Sequence, residues 1–219
     1  MKKLLFCLIA TSAFAQVTKN VGDFNRISVF DQINVELIQG TEQKVVVNGK
    51  RSQDVEVVNS NGELKIRMTL EKLMKGEHVE AKVYFKDLKS IDASEGSYIG
   101  AGSVLRRDDF RLNAKEGAEI KLMLEVNEVS VRAVTGGIIT LTGSASEMEA
   151  KLGTGGLLNA RNLQTERTEV TINTGGEASV NASEYVDAKV TAGGNITIFG
   201  DPVKIDEKTT LGGSIRRAN

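Results

Sequence analysis

The sequence predicts an all-β protein, a parallel β-helix (solenoid) wound in coils of about twenty residues. Three observations carry this. A glycine recurs at Gly96, Gly117, Gly137, Gly156, Gly176, Gly194 and Gly213, at intervals of 21, 20, 19, 20, 18 and 19 residues. Apolar residues alternate with small or polar ones on both sides of it, as in "VTINTGGEASVNA" at residues 170–182, and a period of two is that of a strand with one inward row. The composition pairs 22 Gly with a single Pro, Pro202, which suits continuous β-structure rather than linkers.

Residues 1–15 read as a secretory signal peptide. Lys2 and Lys3 precede an apolar run from Leu4, and Ala13-Phe14-Ala15 offers a peptidase site, in a stretch too short to span a bilayer. The expected mature chain starts at Gln16. Cys7, the only cysteine, lies inside that segment, and Phe6 before it is too bulky for a lipid-anchor site. The mature chain is therefore expected to hold no disulfide and no cysteine metal ligand.

Residues 16–78 form the expected head, which begins the coil and covers its first open end. "FNRISVFDQINVELIQGTEQKVVVNG" and "DVEVVNSNGELKIRM" read as strands, the second with the hairpin signal Asn61-Gly62. "TLEKLMKGEHVEA" breaks the pattern as a loop or one helical turn. Residues 79–219 continue the same domain as the repeat. Its second corner position is glycine in every copy while the first varies (Glu95, Glu116, Gly136, Gly155, Gly175, Gly193, Gly212), so the sequence places a positive-φ corner on the second. Leucine-rich repeats share the length but need a leucine and asparagine framework that this chain lacks.

Composition limits the function. Losing Lys2 and Lys3 takes the formal charge from −1 to −3, and Trp is absent; no nucleic-acid partner is expected. His78, the sole histidine, sits in the charged loop segment without a nucleophile-elbow motif. One histidine and no mature cysteine leave no usual zinc site, and no cofactor pattern is present because the glycine pairs lead into strands, not helices. Carboxylates are the remaining catalytic candidates. In "VLRRDDF", Asp108 and Asp109 follow Arg106 and Arg107, but neighbours on a strand point to opposite faces, which favours a turn between coils. Outward Thr140, Thr142, Asn159, Thr171, Asn173, Asn181 and Thr197 are expected to stack as polar ladders, which either solvate the surface or contact glycan or protein.

The signal peptide, "DFNRISVFDQINVELIQG", "VYFKDLKSIDASEGS" and the stacked Gly-Gly units together resemble the putative auto-transporter adhesin, head GIN domain family, common in Bacteroidota. The resemblance implies a right-handed coil, similar in shape to pectin lyases without their catalytic residues, and a role in adhesion; it brings no functional residue with it. Two readings follow. The first is an exported, non-enzymatic binding or structural protein of the envelope, located in the periplasm, on the outer-membrane surface or outside the cell, with glycan or envelope proteins as partners and no transmembrane span. The second is a carbohydrate-active lyase or hydrolase using carboxylates gathered across coils. A monomer is expected, with Arg216 and Arg217 placing one guanidinium on each face of the last strand to discourage stacking.

Overall fold

The computed structural model describes residues 16–218. The expected signal peptide, with Cys7, lies outside the described residues. Among the described residues the chain begins with β1 (Val17–Asn20), β2 (Arg26–Val29), β3 (Asn34–Gln39), β4 (Lys44–Asn48), β5 (Val55–Ser60), β6 (Glu63–Met68), β7 (Glu80–Phe85) and β8 (Ser90–Ala93). Five long strands follow: β9 (Tyr98–Ala114), β10 (Glu119–Val134), β11 (Ile138–Gly153), β12 (Gly156–Thr174) and β13 (Gly176–Ala192). The last are β14 (Asn195–Phe199), β15 (Lys204–Leu211) and β16 (Ser214–Arg217). All sixteen belong to one sheet, parallel from coil to coil: a β-solenoid.

Each long strand wraps two faces. In β10 the inward residues Ile120, Leu122, Leu124 and Val126 give way, after the exposed pair Asn127-Glu128, to Val129, Val131 and Ala133. Two exposed residues in a row shift the two-residue phase by one, and the strand turns a corner there. Stacking in register extends these rows into columns. One runs Ala81, Val35, Ile99, Ile120, Ile139, Leu158, Ala178, Ile196 and Ile215; the facing one runs Leu64, Ile27, Ile91, Leu112, Val131, Ala150, Val170 and Ala188. The core is the space between them.

The other corner carries the repeat. Consecutive residues at positive φ occupy it at Asp31-Gln32, Glu95-Gly96, Glu116-Gly117, Thr135-Gly136 and Thr154-Gly155. Each pair is tied to the next coil: Gln32 N–H donates to Glu95 O at 2.9 Å, Gly96 N–H to Glu116 O at 2.9 Å, and Gly117 N–H to Thr135 O at 3.1 Å. This corrects the conformational assignment made from sequence. Positive φ falls on Gly96, Gly117, Gly194 and Gly213, but in the middle coils it falls one residue earlier than Gly137, Gly156 and Gly176, on Gly136, Gly155 and Gly175. Gly137 and Gly156 answer a different demand: a Cβ there would lie 2.1 Å from Ala114 O and 2.0 Å from Ala133 O, closer than any side chain tolerates. The 21-residue interval from Gly96 to Gly117 has its own cause. Lys121 faces Gly100 and Met123 faces Val104, so residues 101–103 bulge out opposite Leu122.

The head winds out of chain order. β2 pairs in parallel with both β6 and β8, and β3 with both β7 and β9, so the first coil formed lies between the second and the third. The terminal coil, β6 with β7, has its edges covered by antiparallel strands: β5 on β6, β4 on β7, and β1 on β4. Antiparallel cover occupies backbone groups that an open parallel edge would offer to another chain. The charged segment that breaks the pattern holds one short 3₁₀ turn, Leu70–Lys72. It is pinned by buried Asp31, whose carboxylate accepts from Met68 N–H at 2.9 Å and Met74 N–H at 2.8 Å. Among the described residues no helix is long and apolar enough to cross a membrane.

Candidate binding face

The second halves of the coils build one face whose outward residues stand in two columns. Coil register aligns Glu63, Arg26, Ser90, Arg111, Ser130, Glu149, Glu169, Asp187 and Asp206 in the first, and Lys65, Ser28, Asp92, Asn113, Arg132, Lys151, Thr171, Lys189 and Lys208 in the second. Alternation within each strand puts both columns on the solvent side, and parallel stacking repeats them about every 4.8 Å. A third column follows the corner: Asp109, Glu128, Glu147, Arg167, Tyr185 and Lys204.

Acids at adjacent levels would repel, and the face answers with cations one column over or one level along the same column. Lys151 contacts Glu149, Lys189 donates to Asp187 at 2.6 Å and lies 3.8 Å from Glu169, and Arg167 lies 3.9 Å from Glu147. The carboxylate hydrogen-bonded to each ammonium raises the pKa of Lys151 and Lys189. At the lower end Tyr185 donates its hydroxyl proton to Asp206 at 2.8 Å, and Lys204 donates to the same oxygen at 2.8 Å. These two donors hold the Asp206 pKa down, while the hydrogen bond to Asp206 pushes the Tyr185 phenol up. Arg167 and Lys204 each lie 5.2 Å from the centre of the Tyr185 ring, within cation–π range.

Two shallow grooves run along this face. One, of about 410 Å³, is lined by Glu128, Glu147, Glu149, Glu169, Asp187 and Tyr185 among others. The other, of about 510 Å³, is lined by the cations Arg26, Arg111, Arg132 and Lys151 and the acids Glu63, Asp92 and Glu149, with Asn113 among the rest. The carboxylates rise side by side from one wall. Glycoside cleavage needs two carboxyl groups flanking the scissile bond; here Glu149, Glu169 and Asp187 are instead engaged by the ammonium groups of Lys151 and Lys189. Among the described residues no group of three His, Cys, Asp or Glu is placed to hold a metal ion.

Asp108 and Asp109 are both exposed at the corner of their coil. Asp108 accepts from Asn127 Nδ2 at 3.1 Å, Arg106 pairs with Glu125 at 2.6 Å and Arg107 with Asp87 at 2.6 Å, so the tetrad cross-links neighbouring segments. His78 is exposed in the loop before β7.

The opposite face holds a true polar ladder: Lys121, Thr140, Asn159, Ser179, Thr197 and Arg216 in register. It collects Thr140, Asn159 and Thr197 of the expected set. Thr171 stands instead among the lysines of the charged face, Thr142 pairs with Asn162, Asn181 pairs with Phe199 and donates to Arg161 O at 2.9 Å, and Asn173 is exposed near the glycine corner. The charged columns themselves escaped sequence reasoning. Their signal was an acid–x–Lys pattern, Glu149-x-Lys151, Asp187-x-Lys189 and Asp206-x-Lys208, spaced two coils apart and then one.

The model of a family described as putative auto-transporter adhesin, head GIN domain, matches residues 23–202. No curated protein matches the chain. Among solved structures, a putative adhesin of Bacteroides fragilis superposes with a TM-score of 0.86 at 18% identity, covering 95% of this chain and 98% of that one. A putative lipid binding protein of Parabacteroides distasonis gives 0.74 at 18% identity, over 95% and 98%. A putative adhesin of Parabacteroides merdae gives 0.72 at 18% identity, over 95% and 97%. Identity this low carries the fold alone.

Proposed function

Because this chain belongs to the putative auto-transporter adhesin, head GIN domain family, we propose that it is an exported, non-enzymatic binding protein of the cell envelope. In this reading the solenoid is a rigid rod that presents its two polar faces to glycan or to envelope proteins. The observation that carries it is the charged face: three side-chain columns held in register over several coils. A pre-ordered surface binds without the entropy loss of ordering its side chains on contact.

Three finer points belong to the same proposal. The coil is right-handed, as parallel strand–crossover–strand connections overwhelmingly are, and glycine pairs serve as its repeating corner. Residues 1–15 direct Sec export and are cleaved before Gln16, leaving the protein in the periplasm, on the outer-membrane surface or outside the cell. Residues 16–78 act as the head of a single domain.

The test is a binding screen of the protein from residue 16 onward against a glycan panel and against envelope extracts, combined with fractionation of the native host. Specific retention of a glycan or envelope component, with the protein found outside the cytoplasm, supports the reading. Turnover of a polysaccharide, or a cytoplasmic location, overturns it.

A further inference from the structure

The groove of about 510 Å³ is lined by Ser90, Arg111, Asn113, Ser130 and Arg132 among other residues. Arg111 faces Ser130 in the β9–β10 register, and Asn113 faces Arg132. The two arginines are thus diagonal neighbours, roughly 8 Å apart at Cα from the strand spacing and a two-residue offset. Among the described residues neither guanidinium has a hydrogen-bond or ion-pair partner, whereas Arg106, Arg107 and Arg167 all have carboxylates.

Asn113, between them, is half satisfied. Its Nδ2 donates to Asp92 Oδ1 at 2.8 Å, and its Oδ1 is buried without any donor. The carboxylate beside Nδ2 settles the amide's orientation, because the reverse would set oxygen against oxygen. A buried acceptor without a donor is unfavourable. The missing partner is a proton donor, which a bare carboxylate, sulfate or fully ionised phosphate does not supply.

Resting on the envelope-binding reading above, we propose that this groove binds an acidic sugar within a glycan. Arg111 and Arg132 take its negative group, and a ring hydroxyl donates to Asn113 Oδ1, which is buried here and is reached as the side chains over it swing aside. Guanidinium forks match a carboxylate's two oxygens, and Ser90 and Ser130 serve further hydroxyls. The rest of the face limits what fits. Glu149 lines this groove itself, and Glu147, Glu169 and Asp187 stand beside it or on the following coils, so a chain with negative charge on every unit is repelled. A nucleic acid is excluded on the same ground, and a glycan whose acidic units are separated by neutral ones is favoured.

The test is calorimetric titration at low ionic strength with a hyaluronan hexasaccharide, in which glucuronate alternates with a neutral sugar, against a neutral chitin hexasaccharide of equal length. The hyaluronan oligomer is expected to bind, to weaken with added salt, and to lose at least tenfold in affinity in the Arg111→Gln, Arg132→Gln double variant. A Lys50→Gln variant, in the exposed turn after β4 and outside both faces, keeps parental affinity. An Arg111→Lys, Arg132→Lys variant, with charge kept and the fork removed, falls between the two, which separates recognition from any loss of fold. Equal binding of both oligosaccharides, no binding of the acidic one, or parental affinity in the double Gln variant overturns the proposal. If neutral glycans or envelope proteins still bind in those cases, the broader reading stands while this site falls.

Discussion

Glu207 occupies the register position directly after Ala188, the last small residue of an apolar column that runs from Leu64 through Val170. The coil therefore ends by putting a charge where every earlier level has a hydrophobe. Arg217 does the same on the other face, opposite buried Ile198. Arg216 points outward and donates to Thr197 Oγ1 at 3.1 Å. Inward charges at an unpaired edge oppose the stacking of a second copy, since both would be buried on association. A Glu207→Val, Arg217→Val double variant is expected to self-associate while the parent stays monomeric in light scattering. A parent that is already oligomeric and falls apart in the variant would show that this end is a docking surface instead.

The two glycine demands in the corner separate by mutation. Gly156→Ala drives a Cβ to 2.0 Å from Ala133 O and must displace backbone, so a loss of about 2–4 kcal/mol is expected. Gly117→Ala meets nothing within 4 Å but keeps φ at +74°, and the left-handed conformation alone costs about 1–2 kcal/mol. Denaturant midpoints rank the variants, and the reverse order would refute the distinction.

The coil was legible because its cause is local. Alternation around Val170, Ile172, Ala178 and Val180 and the spacing of glycines are properties of adjacent residues. The corner's phase was less so, since "TGG" at 135–137 offers two glycines and only the packing against Ala114 O distinguishes them. The charged columns depend on residues about twenty positions apart falling into register, and bulges such as residues 101–103 shift that register by amounts no count of residues reveals. The head was hidden further, because β6 and β7 stack outside β2 and β3 against chain order, a topology that long-range pairing decides. Asp31 shows the consequence: its partners Met68 and Met74 lie 37 and 43 residues away, and nothing beside it in the sequence marks it.

Asp31 is expected to anchor that head. Its carboxylate is 1% exposed and accepts two backbone N–H groups, and hydrogen bonds to a charged group contribute about 1.5–3 kcal/mol each. Asp31→Ala strands both donors, and a loss of about 3 kcal/mol is expected in the unfolding free energy. Hydrogen exchange should accelerate at the Met68 and Met74 amides before the rest of the coil. Unchanged protection at those two amides would show that the loop is held by other contacts.

The Tyr185–Asp206–Lys204 group gives a prediction at high pH. The Tyr185 hydroxyl donates to Asp206, and that bond exists only while the phenol is protonated, so the folded pKa lies above the ordinary tyrosine value. A raised folded pKa means that the stabilisation is fully present below the unfolded value near ~10 and is lost as pH rises through the folded one. Tyrosinate difference absorbance of the parent should show one of its three tyrosines ionising late. Tyr185→Phe removes that late step, and Asp206→Asn moves it to lower pH, because a neutral amide accepts the hydrogen bond more weakly and no longer opposes a second negative charge. Lys204→Gln should move it the other way, since the nearby ammonium favours the phenolate. A late step that persists in Tyr185→Phe, or that ignores Asp206→Asn, would place the perturbed phenol elsewhere and break the account of this end of the face.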